Sequence, residues 1–242
     1  MKFWQGFKSV LYPRHFACVE CQKEICGKRY DLCDDCLRRL RWNDGFTCEK
    51  CGCALPYVGT LCGRCAAESF AFDKGYSALV YEGLAQQLIR RWKFEGERYL
   101  TEVFATILAD YYATTNLSFD VVVPVPMTKF AEKSRGFHHT GLLARAFCDI
   151  IRKECDETHL TKRRETPPQV GRTASERREN LKGAFAVTDA SAFSGKNVLL
   201  LDDVKTTGAT ANECAEVLLR AGAARVPLLT IASVAQKLRF EE

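Results

Sequence analysis

The stretch from Val198 to Thr210, V-L-L-L-D-D-V-K-T-T-G-A-T, leaves few folds open to this chain. Its apolar run, Val198 to Leu201, is short and β-prone, as a strand buried on both faces must be. Asp202 and Asp203 sit where that strand is expected to end. A hydroxyl-rich turn, Thr206-Thr207-Gly208-Ala209-Thr210, then leads into a helical pattern from Ala211 to Arg220. In an open parallel sheet, ligands bind beyond the carboxyl ends of the strands. Backbone N–H groups at the start of a helix cradle phosphate, and Gly208 lets a ligand approach closely. Two acids beside such a cradle suit a phosphorylated ligand that also carries hydroxyls or a metal. The plainer alternative is a buried strand whose acidic turn caps a helix.

The remainder of the C-terminal region alternates in the same sense. Tyr76–Tyr81 reads as a strand, and Leu84–Lys93 places Leu84, Leu88, Ile89 and Trp92 on one helical face. Tyr99–Tyr112 is a second amphipathic helix, Phe119–Pro126 a strand running into a proline-stiffened turn, and Leu142–Ile151 a third helix. Val226–Val234 closes the series, with Gly222 placed as a helix C-terminal stop. This order predicts an α/β fold, a parallel sheet flanked by helices. Between Leu160 and Val187 lies a long basic stretch with two prolines, read as a mobile loop or a solvated excursion. After V-P-V-P come Lys129, Lys133 and Arg135, which a second sheet strand places at the same edge as Asp202.

Cysteine sets the N-terminal region apart. Ten of the thirteen cysteines fall between Cys18 and Cys65, eight of them in C-x-x-C pairs: Cys18/Cys21, Cys33/Cys36, Cys48/Cys51 and Cys62/Cys65. Each pair supplies two thiolates to one ion, so four pairs make two tetrahedral zinc sites. Sequential pairing of the knuckles is the simpler arrangement, and a cross-braced one stays open. Cys26 and Cys53 are left over. So short and cysteine-rich a segment has little room for its own core and should need metal to fold. The expected division is a double zinc-knuckle module over residues 1–70 and an α/β domain over 71–242. Lys23, Lys28, Arg29, Arg38, Arg39 and Arg41, interleaved with Tyr30 and Trp42, suit nucleic-acid contact. A solvated surface on a docking module would have the same composition. The overall charge of +5 permits nucleic-acid binding without requiring it. No apolar run is long enough for a membrane span, and the N-terminus lacks a signal peptide's apolar core and cleavage site.

The stretch from Val198 to Thr210 resembles the phosphoribosyl-pyrophosphate (PRPP) motif of type I phosphoribosyltransferases. That resemblance implies that Asp202 and Asp203 hold the ribose hydroxyls, that Thr206, Thr207, Gly208, Ala209 and Thr210 bind the 5′-phosphate, and that Lys129, Lys133 and Arg135 neutralise the pyrophosphate. Over the whole chain, the cysteine module, Y-E-G, W-K-F-E-G, V-P-V-P with R-G-F, T-P-P-Q-V-G with R-R-E-N-L, and the PRPP motif are together similar to the ComF family. Where that family usually has Asn-Gln after R-G-F, this chain has His138 and His139. The resemblance implies a cytoplasmic location, PRPP binding with Mg²⁺, assistance to single-stranded DNA import during natural transformation, and partnership with a DNA-translocating helicase. Two other readings stand beside it: a metabolic nucleobase phosphoribosyltransferase, and a zinc-dependent nucleic-acid binder with a vestigial PRPP site.

Overall fold

The computed structural model describes residues 16–164 and 180–236, excluding the side chains of Ser134 and Arg135. Two short helices, α1 (Asp34–Arg38) and α2 (Gly63–Ala67), belong to the cysteine-rich segment. The elements that follow are β1 (Gly75–Val80), α3 (Gly83–Phe94), α4 (Leu100–Ala113), β2 (Val121–Pro124), α5 (Lys129–Arg135), α6 (His139–Ile151) and β3 (Glu154–Cys155). A small ladder of β4 (Leu160–Lys162) and β5 (Phe185–Val187) precedes β6 (Val198–Lys205), α7 (Ala209–Arg220) and β7 (Leu228–Ser233).

Five strands form one sheet in the order β1-β7-β6-β2-β3, and every pairing is parallel. The expected α/β alternation is therefore present. From β2 the chain moves outward to β3, and from β6 it moves the opposite way to β7. The carboxyl ends of β2 and β6 thus flank the point where the strand order reverses, the place where open α/β sheets accept ligands.

Strand β6 runs further than its apolar run indicates. Asp202 pairs with Thr230 and Lys205 with Ser233 in the β7 ladder, so both carboxylates lie inside the strand. Backbone pairing with β7 continues past the last leucine because a ladder at the sheet's rim does not need apolar side chains. Since side chains alternate along a strand, the two acids leave on opposite faces. One face carries Leu199 and Leu201 against α3, α4 and α6, and the other carries Val198 and Leu200 against α7, β5 and Phe193.

The ends of the 160–187 stretch pair as an antiparallel ladder, Leu160 with Val187 and Lys162 with Phe185, which periodicity did not indicate. Residues 165–179, including T-P-P-Q-V-G, lie outside the described residues.

The cysteine-rich segment packs on the rim of the sheet at β1. The linker between its halves covers the free edge of that strand: Asn43 N–H donates to the Ala78 carbonyl (3.0 Å) and Val80 N–H to the Arg41 carbonyl (2.9 Å). An uncovered edge would invite pairing with another chain. Asn43 Nδ2 also donates to the carbonyls of Gly52 (2.7 Å) and Ser77 (3.0 Å). Cys18, Cys33 and Cys36 join the core on the α3/α4/α6 face, while Cys48, Cys51 and Cys62 join the core on the α7 face. Gly52 fits this contact only without a side chain, because a Cβ there would stand 2.3 Å from the Gly75 carbonyl oxygen. Among the described residues, no helix is long and apolar enough to cross a membrane.

Candidate functional site

The turn after β6 is open to solvent at Thr206, half-buried at Thr207 and Thr210, and buried at Gly208 and Ala209. Gly208 has φ +82°, in the left-handed region, and a Cβ there would also meet the Phe70 ring at 3.2 Å. A cleft of about 360 Å³ lies against the turn, walled by Asp202, Lys205, residues 206–211 and Leu228. Asp202 therefore faces the space beside the predicted phosphate turn.

Asp203 turns the other way and is buried. Its Oδ1 pairs with Lys93 Nζ of α3 at 2.7 Å, and its Oδ2 accepts from His139 Nε2 at the start of α6. Burial alone would raise this carboxyl, but Lys93 and then His139 overcome it and hold it well below the usual carboxylate range. His139 packs edge-on against Trp92 (5.1 Å between centroids), and Trp92 Nε1–H donates to Thr101 Oγ1 (3.0 Å). The sequence reading left Lys93 out of the site. Its signal was a cation in helical register with buried Ala85 and Ile89, a place lysine seldom takes without a partner.

His138 caps α6. Its Nδ1 accepts from Gly141 N–H (2.9 Å), and its Nε2 lies 3.1 Å from Met127 N–H. A neutral imidazole has one acceptor nitrogen, so the two backbone donors compete for it. Burial, and then the proximity of His139, lower the His138 pKa. Helix α5 begins just beyond β2, capped by Thr128 Oγ1 accepting from Ala131 N–H (3.2 Å), and leaves Lys129 and Lys133 exposed at the carboxyl edge. The Arg135 side chain lies outside the described residues.

The eight C-x-x-C cysteines assemble sequentially, Cys18/Cys21/Cys33/Cys36 and Cys48/Cys51/Cys62/Cys65, each set of sulfurs within 4.8 Å of one another. Four sulfurs at ~2.3 Å from a tetrahedral zinc stand about 3.8 Å apart. Cys21 and Cys33 sulfurs are 3.6 Å apart, and Cys51 and Cys62 sulfurs 3.8 Å, so both sets fit that ion. Burial raises the Cys18 thiol, but backbone N–H groups of Cys21, Cys33 and Glu20 outweigh it and bring it to about 7. Hydrogen bonding with Cys53 is the main cause bringing Cys51 to about 6. Such thiols are ready to ligate near neutral pH. Cys26 is exposed and outside both sets, whereas Cys53 is buried beside the second.

The six basic side chains from Lys23 to Arg41 are all paired with acids. Lys23 and Arg38 meet Asp35, Lys28 meets Asp34, Arg39 meets Glu20, Arg41 meets Glu82, and Arg29 meets Asp110 of α4. Tyr30 donates to Asp110 (2.6 Å) and packs on Trp42. Arg29 and Arg41 reach acids beyond the cysteine-rich segment, and the other four pair within it.

A profile of the phosphoribosyl transferase domain matches residues 97–242. The chain belongs to the phosphoribosyl transferase domain family. This phosphoribosyl transferase-domain chain is 28% identical to competence protein F of Haemophilus influenzae over 225 residues, 90% of this chain and 97% of that protein. It is 28% identical to the DNA utilization protein YhgH of Escherichia coli, covering 86% of this chain and 93% of the relative. With competence protein ComFC of Bacillus subtilis it shares 27% identity over 80% of each chain. The ComF resemblance read from the motifs is thus matched by these relatives. Among solved structures, a glutamine PRPP amidotransferase from B. subtilis aligns at a TM-score of 0.38 and 17% identity, over 54% of this chain and 26% of that one. The chain spans about a quarter of that enzyme's length.

Proposed function

We propose that this protein binds PRPP with Mg²⁺ at the carboxyl edge of β6 and uses that site in handling incoming single-stranded DNA during competence. One observation carries the reading: the Thr206–Thr210 turn opens onto a cleft whose wall includes the Asp202 carboxylate. Main-chain N–H groups and the threonine hydroxyls would grip the 5′-phosphate, and Asp202 would accept from the ribose hydroxyls. Asp203 is proposed to act on the ribose through placement, fixing Lys93 and His139 behind the strand. Lys129, Lys133 and Arg135 are proposed to face the pyrophosphate, whose charge Mg²⁺ would share when bound. The relatives' names, competence protein and DNA utilization protein, support the DNA context; a cytoplasmic location and a DNA-translocating helicase as partner belong to the proposal. The division into a metal-organised segment (1–70) and a phosphoribosyl transferase-like domain (71–242) belongs to the same proposal.

Calorimetric titration of PRPP, with and without Mg²⁺, into wild type and Asp202→Asn tests the site. Binding by wild type that weakens at least 10-fold in the variant is the expected result. Equal affinity in the two proteins would remove Asp202 from the ligand. Asp203→Asn is measured separately, because its first effect falls on the buried ion pairs.

A further inference from the structure

The second cysteine knuckle touches the phosphate turn itself. Between ligands Cys62 and Cys65, helix α2 carries Arg64, which is half-buried. Arg64 lines two neighbouring clefts and shares both with Phe70 and Thr207. The larger, about 470 Å³, has Thr206, Thr207 and Gly208 on one wall and Cys51, Cys53 and Cys62 on the other. Its two cations are Arg64 and Lys205. Glu68 lines only the smaller cleft.

The knuckle is fixed in this position. Gln236 N–H donates to the Ala54 carbonyl (2.9 Å), and Gly75 N–H to the Lys50 carbonyl (2.8 Å). Ala71 N–H donates to Asn212 Oδ1 of α7 (2.7 Å), and Phe70 stacks on Phe72 (5.0 Å) beneath Gly208. Four thiolates around a divalent zinc leave a net charge of about −2. Lys205, 6% exposed, lines both this cleft and the one beside Asp202. Arg64 is the more exposed of the two cations and reaches Thr207 from the knuckle side.

The geometry points to Arg64 as a binding residue for the 5′-phosphate, supplied to the Thr206–Thr210 turn by the metal knuckle of the same chain. The inference rests on the phosphoribosyl reading of that turn. N–H groups and hydroxyls satisfy a phosphate's oxygens but leave its charge in place, and a guanidinium fork both neutralises that charge and reaches two oxygens. The second metal would then hold a ligand-binding side chain without touching the ligand.

The test uses the full zinc-loaded chain, with metal content measured for every variant. PRPP and ribose 5-phosphate are each titrated into wild type, Arg64→Gln and Asp202→Asn by calorimetry. Arg64→Gln should weaken both ligands by the same factor, roughly 10-fold to 100-fold, with zinc unchanged. An affinity within twofold of wild type for Arg64→Gln, beside a loss for Asp202→Asn, overturns this inference and leaves the phosphoribosyl reading standing. A loss confined to PRPP overturns it too, because the contact would then be to pyrophosphate. Failure of wild type to bind either ligand overturns the reading and the inference with it. Should Arg64→Gln lose zinc, Arg64→Met, which keeps an apolar stem, is read against the same limits.

Discussion

Replacing Lys93 by methionine keeps most of the side-chain stem and deletes the ammonium that faces Asp203. The Asp203 side chain is 9% exposed and that of Lys93 16%, with 2.7 Å between the charged atoms. Removing one partner of a buried pair costs roughly 3–5 kcal/mol, because the remaining charge keeps its burial and loses its compensation. Here His139 still donates to the carboxylate, which places the expected loss near the lower end, about 3 kcal/mol. For a chain of this size, each kcal/mol lowers Tm by ~2–4 °C, so Lys93→Met should melt roughly 6–12 °C below wild type. Calorimetric melting of the zinc-loaded protein measures this. Lys93→Met/Asp203→Asn should lose less than the two single losses added, with a coupling of at least about 1 kcal/mol. A Tm change under about 2 °C for Lys93→Met, or simple additivity in the double variant, would refute the claim that Asp203 depends on Lys93.

Three further outcomes follow from the same structure. The folded pKa of His138 is depressed by burial, so its contribution to stability is complete above its unfolded pKa of ~6.5 and declines as pH falls below it, by at most about 1.4 kcal/mol per pH unit. Asparagine is a good helix cap and does not titrate, so His138→Asn should lessen that decline in a denaturation series from pH 8 to 5.5 and be neutral or stabilising at pH 8. The Asp203 contribution, from a depressed carboxyl, is lost only in a separate window below pH ~4. Gly208→Ala forces a side chain into the left-handed region at a cost of about 1–2 kcal/mol, and the new methyl presses on Phe70; lower Tm and weaker PRPP binding are expected, and unchanged values of both would count against the turn's geometry. Metal analysis should give two zinc ions per chain, and chelation should lower Tm and bring self-association detectable by light scattering as the β1 edge loses its cover.

Much of this was legible in the sequence because the signals were local. The leucine run of β6, the helical stripe of Leu84, Leu88, Ile89 and Trp92, and the C-x-x-C spacing each report a neighbourhood of a few residues, and all three took their expected forms. The sequential pairing of knuckles follows the same rule, since the shorter chain path closes each site. What periodicity could not supply was long-range pairing. Asp202 and Asp203 read as one motif, yet the alternation of a strand that continues to Lys205 sends one to the cleft and the other to Lys93, 110 positions earlier. The basic residues from Lys23 to Arg41 read as an open patch because Asp110 and Glu82, which meet Arg29 and Arg41, lie far along the chain. Arg64 gave no signal of its own, for only the folded rim brings it beside Thr207.

The insertion of β7 between β1 and β6 sets an order of events during synthesis. The strand that will flank β1 on its inner side leaves the ribosome after every other described strand, whereas the 41–43 segment on its outer side emerges before β1. Until β7 is made, β1 has this single neighbour, and the neighbour is held between the two four-cysteine clusters. If zinc closes those clusters during elongation, the nascent sheet would wait in a protected form; without it, the first strand would lie open to another chain.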